Sequence, residues 1–382
     1  MKRFLIMILL CCSMLLSGCS WMDGSSVSVQ PHKMPQQTIQ GGISVAEDYL
    51  DLMEALESFI SGRTENAVIA IPEYPADSVD SGMGIAIRYV KENYPLGAYA
   101  VEDISYEYGT SGGQPALALT IAYRHSLSEM LQIRRVEDVA AAQKTVSGAL
   151  DGFSAGIVLY IKDYDSVDFT QYVQDYAWSN PQLIMETPQV SEVTYGTGDS
   201  RVVELSFTYQ NSRDSLRQMK TQVKPVFEAA SLYISGDGED RQKLSQLYAF
   251  LVERFDYIIE TSITPAYSLL RHGVGDSRAF ATVYAAMCRG AGLECMTVTG
   301  TCSGEPRTWN IVLDDGHYYH VDLLRSNELG FFREYTDSQM YGYVWDYSAY
   351  PACTGEAVPE ESMDATAPEE TLPDQTEETI QK

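Results

Sequence analysis

The stretch Thr264–Leu324, TPAYSLLRHGVGDSRAFATVYAAMCRGAGLECMTVTGTCSGEPRTWNIVLDDGHYYHVDLL, decides how the rest of the chain is read. Val283, Tyr284, Met287, Cys288 and Ala291 follow Phe280 at helical spacing, which predicts a helix with one apolar face. Asp276 and Ser277 precede that run, where a helix start needs side-chain oxygen for its unpaired N–H groups. Gly290 and Gly292 end it. Met296–Val298, Trp309–Val312 and Tyr318–Val321 then read as strands, with Asp314-Asp315-Gly316 as the turn between the last two.

This order of motifs resembles the transglutaminase-like, papain-related superfamily over about 110 residues. The family writes Ala-Tyr, then Gly-x-Gly-Val-Cys-x-Gly-Tyr-Ala, and a helix ending in Ala-Gly-Ile. A strand, His-Ala-Trp-Asn and Trp-Tyr-His-Val-Asp follow. On this chain the Ala-Tyr falls on Ala266-Tyr267, the glycines on Gly273 and Gly275, and the helix end on Ala291-Gly292-Leu293. The nucleophilic Cys falls on Ser277 and the His on Arg307, ahead of Thr308-Trp309-Asn310. The Asp falls on Asp322, after Tyr319-His320-Val321. The resemblance implies a kept scaffold with two of its three catalytic positions changed.

The chemistry of those changes sets the expected function. In the family, the helix dipole and a nearby imidazolium make the thiol a thiolate, and the Asp orients the His. A serine hydroxyl needs a strong general base, and a guanidinium never deprotonates in a protein. Ser277, Arg307 and Asp322 therefore have no route for the proton. The expected state is a vestigial triad, with Ser277 capping the helix and Arg307 paired to Asp322. The alternative is an acyl-transfer or peptidase enzyme that uses Ser277 or Cys302 as nucleophile and recruits His272 or His320 as base. His272 reaches Ser277 only if the loop from Gly273 to Asp276 folds back.

Residues 1–19 read as a lipoprotein signal peptide. Lys2 and Arg3 precede the apolar run Phe4–Leu16, and Leu16-Ser17-Gly18-Cys19 resembles a bacterial lipobox. That pattern implies a lipidated Cys19 that anchors the exported chain to the outer face of the bacterial cell membrane. Residues 20–43 form a polar tether. Residues 355–382 form an acidic tail with too few apolar residues to fold. The net charge of −27 argues against nucleic-acid partners. Of seven cysteines, none stands in a spacing typical of metal ligands, and no cofactor or metal is expected.

Between tether and Thr264 the chain repeats itself. Ile69–Tyr74 recurs at Leu159–Tyr164, and Asp77-Ser78-Val79-Asp80 recurs as Asp165-Ser166-Val167-Asp168. Tyr108-Gly109-Thr110 recurs as Tyr195-Gly196-Thr197, and Leu119–Tyr123 as Leu205–Tyr209. The expected class is α+β: two tandem βαββα repeats followed by a transglutaminase-like domain at 236–354. The first repeat, with an opening helix over Ser44–Ser61, spans 44–150 and closes with a helix from about Ser128 to Leu150. The second spans 151–235 and closes with a helix over Asp214–Tyr233. A linker at Ser235–Asp240 and a helix over Arg241–Ile258 lead into the last domain. The partner expected for such a module is a cell-surface peptide or protein, or a cell-wall component.

Overall fold

The computed structural model describes residues 43–355. The signal segment, Cys19 and the tail beyond 355 lie outside them. β1 (Ile43–Val45) pairs in parallel with β2 (Asn66–Ala70), and α1 (Tyr49–Ser61) joins them. A helix from Ser44 is not formed. The chain stays extended to Val45, and α1 begins after Asp48, whose carboxylate accepts the Leu50 and Asp51 N–H groups at 2.8 and 3.2 Å. α2 (Val79–Glu92) and α3 (Pro95–Ala100) lead to the hairpin β3 (Val101–Ser111) and β4 (Gln114–Tyr123). The first sheet is ordered β1-β2-β4-β3.

The helix expected over Ser128–Leu150 is three elements, α4 (Leu127–Met130), β5 (Arg134–Asp138) and α5 (Val139–Asp151). Asp138 divides strand from helix, because its carboxylate accepts the Ala141 N–H at 2.8 Å and caps α5. β5 pairs in parallel with β6 (Gly156–Asp163). α6 (Phe169–Ser179), β7 (Gln189–Tyr195) and β8 (Arg201–Thr208) complete a second sheet, ordered β5-β6-β8-β7. Both sheets therefore have the same strand arrangement, from the order βαβααββ over 43–123, which adds the short α3, and βαβαββ over 134–208. The boundaries expected at 44–150 and 151–235 are out of phase with this grouping, because β1 and β5 were each absorbed into a helix.

α7 (Arg213–Tyr233), expected to close the second repeat, is tied to it by Arg213 and Lys220, which donate to the Gly152 and Asp151 carbonyls at 2.9 Å each, but its apolar face packs largely elsewhere. Its buried Leu216, Val223 and Ala230 share a core with Leu244, Tyr284 and Val312. α8 (Asp240–Val252) stops short of the expected Ile258, since Asp256–Tyr257 (β9) pairs in parallel with Val274–Gly275 (β10). α9 (Pro265–Tyr267) runs into a π-helical turn over Ser268–His272. α10 (Ser277–Gly290) is buried on all sides, every residue from Ala279 to Cys288 being inaccessible to solvent or nearly so. An antiparallel sheet follows, built from β11 (Cys295–Cys302), β12 (Glu305–Asp314) and β13 (His317–Val321). Asp315 and Gly316 make the β12–β13 turn with φ of 46° and 77°, a left-handed pair that favours glycine at the second position.

α11 (Leu323–Leu329) and β14 (Tyr343–Trp345) are the last α-helix and strand among the described residues, and β14 joins the other edge to give β13-β12-β11-β14. One face of this sheet lies on α10. The other is covered by Tyr335, Met340, Tyr343 and Trp345, packed on Trp309 and Ile311. Asn310 reaches through the first interface, its Nδ2 donating to the Ala281 and Met296 carbonyls at 2.9 and 3.2 Å. The start of α10 is thus held against β12 by burial and by a buried amide.

Candidate functional site

Ser277 is the first residue of α10 rather than its cap. Asp276 takes that role, with Oδ1 accepting the Ala279 N–H at 2.8 Å and Oδ2 accepting the Thr261 hydroxyl at 2.9 Å. Freed from capping, the Ser277 hydroxyl turns to β12 and accepts the Thr308 N–H at 3.2 Å. Ser277 is therefore joined directly to the residue that follows Arg307. Among the described residues no side chain accepts a hydrogen bond from this hydroxyl.

Arg307 and Asp322 form a two-pronged pair. Nε and Nη2 donate to Oδ2 and Oδ1 at 2.8 and 2.9 Å. The Tyr343 hydroxyl adds a bond to Oδ2 at 2.7 Å, and the Leu324 and Arg325 N–H groups reach Oδ1 at 3.0 and 3.2 Å. One carboxylate thus holds the guanidinium, ties in β14 and caps α11. Burial by itself pulls the Arg307 pKa down, but the hydrogen bonds and charge of Asp322 carry it above its ordinary value. The group facing Asp322 is a permanent cation with no lone pair to offer a proton.

Neither candidate base hydrogen-bonds to Ser277 among the described residues. Val274–Gly275 is held extended against Asp256–Tyr257, so the loop after His272 does not fold back, and His272 stands edge-on to Tyr267 at 5.2 Å. His320 is fully buried, its Nδ1 accepting the Trp309 indole N–H at 3.0 Å. That bond leaves the proton on Nε2, which donates it to Asp337 at 2.8 Å. Cys302 is half-buried at the end of β11, opposite Tyr343 of β14, and no described imidazole contacts it.

The structure also assembles a group that spacing did not reveal. His320, Asp337 and Cys353 bring one ligand-type atom each within 4.8 Å of the others. Two observations argue against chemistry there. Burial pushes the Cys353 thiol up to about 12 and also depresses the His320 pKa, keeping thiol protonated and ring neutral. Both ring nitrogens are already committed, so the neutral imidazole has no lone pair left for a metal ion. Asp337 also accepts the Cys353 N–H at 3.0 Å, which makes the cluster a clasp for the last described segment.

A family profile described as the Transglutaminase-like superfamily matches residues 228–323. Those residues are a transglutaminase-like domain. No curated protein matches the chain significantly. Among solved structures, that of a TGase is 11% identical with a TM-score of 0.25, covering 56% of this chain and 63% of the other. A candidate cysteine protease from Cytophaga hutchinsonii is 17% identical with a TM-score of 0.24, covering 38% of this chain and 65% of the other. A candidate protease from Parabacteroides distasonis is 9% identical with a TM-score of 0.22, covering 67% of this chain and 39% of the other. The chain spans less than two thirds of the length of each.

The transglutaminase-like domain is not bounded by the linker at Ser235–Asp240. The matched residues begin inside α7, and α7 contributes to the core around α10. α6 adds a further wall, since Arg278, next to Ser277, lies over the Trp178 ring at 4.6 Å.

Proposed function

We propose that this protein is a membrane-anchored surface lipoprotein whose transglutaminase-like domain is catalytically vestigial and serves as a binding or structural module. Its partner is a cell-surface peptide or protein, or a cell-wall component. One observation carries the reading: the position that would hold a general base is filled by Arg307, clamped on Asp322 by two hydrogen bonds. A nucleophile at Ser277 has nothing to receive its proton. The test is labelling of the folded protein with a fluorophosphonate and with iodoacetamide. The expected result is no adduct on Ser277 and no preferential adduct on Cys302. Labelling confined to Ser277 or to Cys302 would instead favour an acyl-transfer or peptidase enzyme.

The anchor in this reading rests on Leu16-Ser17-Gly18-Cys19. Cys19→Ala is expected to move the protein from the detergent phase to the aqueous phase of an extraction without changing its melting temperature. The two sheets, with their flanking helices, are read as copies of one unit that set the module away from the membrane. This is supported by their shared strand order and by the sequence matches, which fall at corresponding places. Asp77–Asp80 and Asp165–Asp168 lead into α2 and α6, and Leu119–Tyr123 and Leu205–Tyr209 lie along β4 and β8.

A further inference from the structure

A cleft of about 920 Å³ opens beside β6 and β8, walled by α5 and by Tyr99, His125 and Glu129, with no wall from any residue beyond Ser206. It is separate from the Ser277 site. Three features of its walls bear on what it takes.

The first is an unfinished strand row. β6 pairs with β8 from Gly156↔Ser206 onward, but β5 meets β6 only from Arg134↔Leu159. Gly156–Val158 therefore has a strand on one side and, among the described residues, none on the other. Gly156 is exposed. Backbone groups along such an edge present donors and acceptors at the spacing of another strand.

The second is Gly148, inside α5 and on the cleft wall. Glycine in a helix interior costs about 1 kcal/mol relative to alanine. Nothing lies within 4 Å of where its Cβ would stand, so the fold itself has no steric need of glycine there. Its missing side chain keeps open the space beside the unpaired edge.

The third is charge. Arg134 and Lys144 line the cleft and make no ion pair among the described residues. Glu129 and Glu204 line it as well, and both are held in place: Glu129 accepts the Ser126 N–H at 2.7 Å, and Glu204 accepts the Tyr195 hydroxyl at 2.9 Å. A ligand bearing both charges finds partners for each.

We propose that this cleft binds an extended peptide segment, which adds to the β6 edge at Gly156–Val158 in the row that β5 occupies further along. Main-chain hydrogen bonds supply the general affinity, and the charged rim selects segments carrying an acidic and a basic side chain. A small molecule lacks the repeating donors and acceptors that the edge offers.

The test is selection of a phage-displayed library of random heptapeptides on the full chain, followed by titration of the enriched sequences as synthetic peptides. Gly148→Leu places a side chain in the cleft, and should weaken binding by about tenfold or more while leaving the melting temperature unchanged or raised. Lys144→Glu, at the exposed rim, should also weaken binding, which covers the case of a Gly148 variant that fails to fold. N-methylation of the central peptide amides should abolish binding, and Arg307→Ala should leave it unchanged. No enrichment, or enriched peptides indifferent to the cleft substitutions or to N-methylation, would overturn the proposal.

Discussion

Arg307 and Asp322 meet through two parallel hydrogen bonds of 2.8 and 2.9 Å, on a carboxylate whose side chain is only 1% exposed. A buried charge of this kind is stable only while its partners remain, because removing one leaves the other desolvated and unpaired.

Arg307→Ala should therefore lower stability by about 3 kcal/mol. Asp322→Ala should cost at least as much, since the α11 cap and the Tyr343 bond go with it. The double variant should cost clearly less than the sum. Urea unfolding of the four proteins measures the coupling, and simple additivity would show that the pair does not act as a unit.

Rebuilding the chemistry tests the Ser277 site more directly. Ser277→Cys with Arg307→His places a thiol at the start of α10 and an imidazole beside Asp322. Alkylation of the new thiol should titrate well below the ordinary cysteine range. A rate profile matching a free thiol would mean that Ser277 and Arg307 are not former catalytic positions.

The pH dependence of stability should carry the mark of Glu334. This carboxyl is buried, and Arg241 Nη1 stands 3.5 Å away with Asp314 beside it. Burial pushes its pKa up to about 7. Between about 4.3, its ordinary value, and 7 the folded state holds a proton that the unfolded state has released. Stability is then lost as pH rises through that window, by an amount on the order of 3 kcal/mol. Glu334→Gln should remove the loss. Buried His320 has the opposite sign, losing stability as pH falls below 6.5, so the difference between wild type and variant is the quantity to follow.

The shared core around α7 predicts how fragments behave. Residues 43–211 hold both sheets, whereas ending at 235 adds a helix whose Leu216, Val223 and Ala230 have lost the part of their core that residues 244–332 supply. The shorter fragment should melt cooperatively. The longer one should bind more of a hydrophobic dye and aggregate more readily. Equal dye binding by the two would place α7 on the second sheet after all.

The elements of the site were legible because each rests on local signals. The apolar period of Phe280–Ala291, the Asp315-Gly316 turn and the alternating strands are set by neighbours in sequence, and α10, β12 and β13 lie where those signals put them. The recurring residues were legible, but the elements they belong to were not. β1 and β5 are short strands held by parallel pairing to distant partners; Asp48 and Asp138 mark where the helices begin, but nothing local makes the residues before them strands.

The packing of long-range partners was decided by tertiary structure alone. Whether α7 serves the second sheet or the α10 core depends on which apolar faces meet, and its own periodicity is the same in either case. The capping of α10 was decided the same way: Ser277 was expected to cap it, but the cap is Asp276, and Ser277 takes the Thr308 N–H of β12 instead. Arg307 and Asp322 were expected to pair, but Tyr343 on the same carboxylate comes from a strand added at the far edge of the sheet. Sequence determines which groups can ionise, cap or pack; the fold determines which of them meet, because desolvation and hydrogen-bond geometry act only between residues that burial has brought together.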